Sequence, residues 1–113
     1  MRIINKHILG KLIRKNQGNV KLIKSIEQLI SDIENNSWKT PRELIENRPD
    51  ADCVYGGEFY FFDISIHRSL ILIEFEENGD ATIVWAGNHD DYELTFKNNR
   101  NVIKKWLRDN NWI

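Results

Sequence analysis

Near residue 50 the spacing of apolar side chains changes, and that change limits the possible folds more than any other feature. Upstream, apolar residues recur every three or four positions. Leu22, Ile23, Ile26, Leu29, Ile30 and Ile33 form one stripe, and Ile8, Leu9, Leu12 and Ile13 form a shorter one before it. This is the period of amphipathic helices. Downstream the period is two. In residues 58–66, EFYFFDISI, one face carries Tyr60, Phe62, Ile64 and Ile66, and the other Phe59, Phe61, Asp63 and Ser65. Residues 70–75 and 81–86 read as two further strands. Asn78-Gly79 lies between them as a hairpin signal, because both residues accept positive φ. Helices followed by consecutive strands with short turns indicate the α+β class.

The remaining segments fill in the order. Residues 2–4 are a short first strand, and Gln17, Gly18 and Asn19 separate the two helices. Thr40-Pro41-Arg42-Glu43 has the form of a capping box, opening a helix over residues 41–47 that Pro49 closes. Residues 52–55 make a strand and Gly56-Gly57 a turn. Residues 98–110 are helical by pattern, with Val102, Ile103, Trp106 and Leu107 on one side. The expected architecture is a mostly meandering antiparallel sheet with the helices, including the C-terminal one, on one face. Residues 1–113 fit one domain.

Charge is distributed unevenly although the net value is only −1. Arg2, Lys6, Lys11, Arg14, Lys15, Lys21 and Lys24 all precede the first acid, Glu27. The middle is acidic, with Lys39, Arg42, Arg48 and Arg68 as its only bases up to Glu93. From Lys97 onward the only acid is Asp109. Terminal segments packed side by side would make one positive face suited to phosphates. Solvated helix faces account for the same lysines equally well. The single cysteine, Cys53, forbids an internal disulfide. The charges that interrupt MRIINKHILGKLIRK leave no apolar stretch for a secretion signal. The expected location is therefore a reducing cytoplasm, without a membrane span.

One segment concentrates proton chemistry. In Trp85-Ala86-Gly87-Asn88-His89-Asp90-Asp91-Tyr92-Glu93 a strand ends, and a histidine, three acids and a tyrosine follow at once. Loop residues just past a strand can face a cleft. His89, Asp90, Asp91 and Asp63 are hard-ligand types, but their spacing matches no metal motif, so neither metal nor organic cofactor is expected.

Taken in order, four segments resemble the HigB-type toxins of bacterial toxin–antitoxin systems, within the wider RelE/ParE superfamily. They are the Met-Arg-Ile-Ile opening before a basic helix, Trp38-Lys39-Thr40-Pro41, the aromatic strand ending Phe62-Asp63-Ile64, and His89-x-x-Tyr92-Glu93 at a strand exit. The resemblance implies a compact sheet flanked by N-terminal helices, a RelE-like fold. It implies cleavage of messenger RNA in the ribosome without metal, and neutralisation by a HigA-type helix-turn-helix antitoxin. One departure stands out. The family opens its next strand with Tyr-Arg-Leu, whereas this chain has His67-Arg68-Ser69-Leu70, so Ser69 occupies the expected arginine position and Arg68 lies next to it. The pI of 6.3 is also low for an RNA-cutting toxin.

Metal-free RNA cleavage uses the neighbouring 2′-hydroxyl as nucleophile. It needs a base, an acid and a cation over the phosphate. His89 is the first candidate for proton transfer, since imidazole titrates near neutrality. Tyr92, three residues on, shares a face with His89 if the segment turns helically, and can stack on a base or assist a proton. Arg68, expected in the turn between two strands, is the candidate phosphate clamp. His67 beside it is a second acid or base. Asp90 and Asp91 read as capping or orienting residues. Lys39, Arg2, Lys6 and Lys11 are candidate contacts to RNA backbone. The catalytic reading expects His89 and Arg68 to converge on one pocket. Its rivals are a non-catalytic toxin of the same fold acting on a protein target of the gyrase type, and a degenerate toxin that only binds its antitoxin.

Overall fold

The computed structural model describes residues 1–113. Five strands and five helices follow one another as β1 (Arg2–Ile4), α1 (His7–Lys15), α2 (Val20–Glu34), α3 (Pro41–Asn47), β2 (Asp52–Tyr55), β3 (Phe59–Ile64), β4 (His67–Ile73), β5 (Asp80–Gly87), α4 (His89–Phe96) and α5 (Arg100–Asp109). The strands form one sheet in the order β1-β5-β4-β3-β2. β2 to β5 make the expected antiparallel meander, and β1 adds to β5 in parallel.

Each helix forms for a local reason. Asn19 caps α2, its side chain accepting from the Leu22 amide at 3.2 Å. At α3, Thr40 Oγ1 accepts from the Glu43 amide at 3.2 Å, and Glu43 reaches back to the amide of Lys39 at 2.6 Å. This is a capping box displaced by one residue at its return arm.

The sheet is covered on both faces, not one. Leu9, Leu12, Leu22, Ile26, Leu29 and Ile33 of α1 and α2 pack on Tyr60, Phe62, Ile64, Ile71, Ile73, Ala81 and Ile83. Tyr92, Phe96, Ile103 and Leu107 of α4 and α5 pack on Val54, Phe59, Phe61, Leu70 and Val84 of the other face. Alternation in β3 therefore sends aromatic rings into both cores, and only Asp63 of that strand is exposed. The expectation of one helical face fails because β3 is apolar on both sides, and its second face needs its own cover.

Two turns differ from expectation, and the Gly56-Gly57 turn forms as expected. Neither Asn78 nor Gly79 adopts a positive φ. Gly79 is needed for a close approach instead, since a Cβ there would lie 2.0 Å from the Glu74 carbonyl oxygen. Paired positive φ occurs at Gly56 and Gly57, at 59° and 72°. The β3–β4 turn is Ser65-Ile66, with Ser65 at φ 63°, so His67 and Arg68 belong to β4 and not to the turn. Ile66 is 75% exposed rather than part of the core face.

A bulge sets the geometry near the end of β5. Leu70 pairs with Trp85 and Ile71 with Ile83, leaving Val84 as the extra residue. Ile83 joins the α1/α2 core while Val84 and Trp85 both turn to the α4/α5 core. A bulge re-aims the side chains beyond it, and here it brings the Trp85 indole over the face that α4 covers.

Candidate functional site

The segment after β5 is a helix and not a loop. Asn88 caps α4, its side chain accepting from the Asp91 amide at 2.8 Å. Asp90 and Asp91 occupy the first turn, where negative charge offsets the helix dipole. This accounts for two of the acids around His89 without catalysis. Gly87 precedes them because a Cβ there would lie 2.6 Å from the Trp85 ring.

His89 is the first residue of α4, with its side chain 67% exposed and Nε2 3.9 Å from Glu93 Oε1. Arg68 pairs across the sheet with Gly87 on β5 and with Asp63 on β3. Register thus brings Arg68 to the sheet end from which α4 leaves, opposite a residue only two positions before His89. No main surface depression is lined by either residue, so the expected shared pocket is replaced by an open surface.

The Arg68 guanidinium lies 4.9 Å from the Tyr92 ring centroid and 5.4 Å from that of Phe61. Its Nε donates to Asp63 Oδ1 at 3.2 Å, and neither terminal nitrogen has a protein partner. The rings beneath it are fixed in turn. Phe61 meets Tyr92 and Phe96 edge-on at 5.1 and 5.3 Å, and Trp85 meets Phe96 at 5.0 Å. Each such pair adds about 0.5–1.5 kcal/mol beyond burial.

Tyr92 is not an exposed base-stacking residue. It is buried, and its hydroxyl donates to Asn98 Oδ1 at 3.0 Å. His67 is also buried, and its Nδ1 has no partner. As the strand neighbour of Arg68 it points to the opposite face, so the two do not form a pair. Burial pushes its imidazole below the ordinary value, opposed in part by Asp91. Ser69, at the position the family resemblance gives to arginine, is buried and donates from its hydroxyl to the Trp85 carbonyl at 2.9 Å. Residue 69 is fully buried, and the cation at this end of β4 is Arg68.

Two of the expected RNA contacts are already paired. Arg2 makes a two-pronged bond to Asp80 at 3.0 and 2.9 Å, which raises the guanidinium and lowers the carboxyl from their ordinary values. Lys6 Nζ lies 3.3 Å from Glu34 Oε2. Lys39 is exposed beside the buried Trp38. Lys11 is exposed and unpaired, as are Arg14, Lys15, Lys21 and Lys24 around the α1–α2 turn. That turn is the cationic surface, and the run of bases before Glu27 already signalled it. The sequence alone does not show Asp63 as the partner of Arg68. The two-residue turn that puts them opposite one another became visible only with the register.

No three His, Cys, Asp or Glu side chains converge as a ligand group. No helix is long and apolar enough to cross a membrane. No curated protein matches the chain. Residues 23–95, which contain both Arg68 and His89, match the HigB toxins, the RelE-like toxic component of a toxin-antitoxin system, and the chain belongs to that family.

Proposed function

We propose that this toxin is an endoribonuclease that cuts messenger RNA on the ribosome without a metal. The observation that carries the reading is the Arg68 guanidinium. It is braced on two rings, with both terminal nitrogens unpartnered, at the sheet end where His89 is exposed. A braced guanidinium suits two oxygens of one phosphate.

In this mechanism the 2′-oxygen attacks the adjacent phosphorus and loses its proton to a base. The bond to the 5′-oxygen breaks, and that oxygen takes a proton from an acid. A 2′,3′-cyclic phosphate and a free 5′-hydroxyl result. Arg68 stabilises charge on the non-bridging oxygens, and His89 supplies or takes a proton. Tyr92 supports Arg68 from beneath, and His67 supports the strand that carries it. Lys11 and Lys39, with the cations of the α1–α2 turn, hold RNA backbone. A family of this kind implies an antitoxin partner, for which we propose a HigA-type helix-turn-helix protein. Action on ribosomes requires the cytoplasm.

A second reading, a toxin acting on a protein target, draws on the acids Asp90, Asp91 and Glu93 around His89, which oppose an approaching phosphate. One experiment separates the two. Wild type, His89→Ala and Arg68→Ala are expressed, transcripts and growth are followed, and cleavage is repeated in vitro with and without ribosomes. Cleavage by wild type that both variants lose supports the nuclease. Growth arrest with intact transcripts overturns it.

A further inference from the structure

We infer that Asp63 is the positioning residue for Arg68, orienting the clamp at some expense in RNA affinity. The inference rests on the reading that Arg68 holds the phosphate. Asp63 and Arg68 are direct cross-strand partners. Both point to the face covered by α4, because Phe59 and Phe61 alternate with Asp63 there and Leu70 with Arg68. The Oδ1 of Asp63 accepts from the Nε of Arg68 at 3.2 Å, and the guanidinium carbon lies 4.9 Å from the Tyr92 ring centroid and 5.4 Å from that of Phe61. An arginine held at Nε and packed against two rings has little freedom to turn, and its two terminal nitrogens stay without protein partners.

Asp63 is itself anchored. Its amide donates to Asp50 Oδ2 at 2.9 Å and its carbonyl accepts from Arg48 at 3.1 Å. Arg48, with its side chain only 12% exposed, also binds Asp32 at 3.1 Å and Asp50 at 2.7 Å. The backbone of Asp63 is therefore set by a largely buried ion cluster while its carboxylate stays half exposed beside the clamp. A carboxylate in that place repels an incoming phosphate, so its contribution is orientation and not attraction.

Two substitutions separate the two effects. Asp63→Asn keeps an acceptor for Nε and removes the charge. Asp63→Ala removes both. The expected result for Asp63→Asn is kcat within about twofold of wild type and KM for RNA lower by about threefold to tenfold, the size of one screened charge interaction. For Asp63→Ala the expected result is a kcat at least about tenfold lower, as for a misplaced catalytic group, with RNA binding no weaker. Loss of stability alone would not split KM from kcat, and melting curves identify it. The inference is overturned if Asp63→Ala keeps wild-type kcat or if the two variants behave alike. Binding of an uncleavable 2′-O-methyl RNA is measured in parallel, with Arg68→Ala. If wild type binds this RNA without cutting any transcript, the nuclease reading fails. The positioning inference then stands on tighter binding by Asp63→Asn and weaker binding by Arg68→Ala, and falls if either is absent.

Discussion

The guanidinium of Arg68 sits 4.9 Å above the ring of Tyr92, while the hydroxyl of that ring faces away, donating to Asn98 at 3.0 Å. Ring and hydroxyl therefore do separable work. Tyr92→Phe should cost about 1 kcal/mol of stability through the unpaired Asn98 and leave RNA cleavage within about twofold. Tyr92→Leu should lower cleavage by about threefold or more, because an aliphatic side chain offers the cation no π face. Both are assayed where the variants are folded. Equal cleavage by both would remove the platform role.

His89 is exposed and its only near partner is Glu93 at 3.9 Å. His89→Ala should therefore leave the melting temperature almost unchanged, and lower kcat by about 10² to 10⁴ as expected for a missing acid or base. A fall in stability without a fall in kcat would make it a structural residue.

His67 gives a pH dependence of known sign. Its folded-state pKa is depressed by burial. As pH falls below about 6.5 the unfolded chain takes the proton first. Stability is full above that value and declines below it until the folded-state value is passed, by at most about 1.4 kcal/mol per pH unit. Urea titrations of wild type should show this decline, and His67→Gln should flatten it. An unchanged slope would assign the titration to another group.

Arg48 joins Asp32, Asp50 and the Asp63 carbonyl. Arg48→Met leaves two partly buried carboxylates unpaired. It should destabilise the fold by about 3 kcal/mol, the low end for a broken buried pair because both acids keep some water. An unfolding midpoint equal to wild type would mean the cluster contributes nothing net.

Lys11, Arg14, Lys15, Lys21 and Lys24 have no internal ion-pair partners. Replacing Lys15, Lys21 and Lys24 by Gln should make the plot of log affinity against log salt shallower, by about 0.7 for each phosphate of single-stranded RNA that is no longer neutralised. The same replacement of Arg2, already held by Asp80, should change the slope far less. Equal effects would place RNA elsewhere.

Local rules made much of this protein legible. The three- and four-residue period gave α1 and α2, the Thr40 box gave α3, and the period of two gave β2 to β5 and the two faces of β3. His89 and Arg68 stood out by residue type and by family resemblance. The helix α4 was less legible, because Asn88-His89-Asp90-Asp91 reads as a polar loop until the Asn88 cap and the burial of Tyr92 and Phe96 are known. The displacement at Val84 was hidden too, since a bulge exists only relative to a partner strand.

By itself the sequence determined which segments are helix and which are strand, α4 apart, and that the bases gather before Glu27, because period and composition are local. Tertiary structure alone decided which cations are free, since Arg2 finds Asp80 across 78 residues and Lys6 finds Glu34 across 28. It also decided that α5 covers the second face of the sheet, and that Arg68 stands at the sheet end from which α4 leaves. Those outcomes depend on register and on which surfaces are left uncovered, and neither is encoded in any short window of the chain.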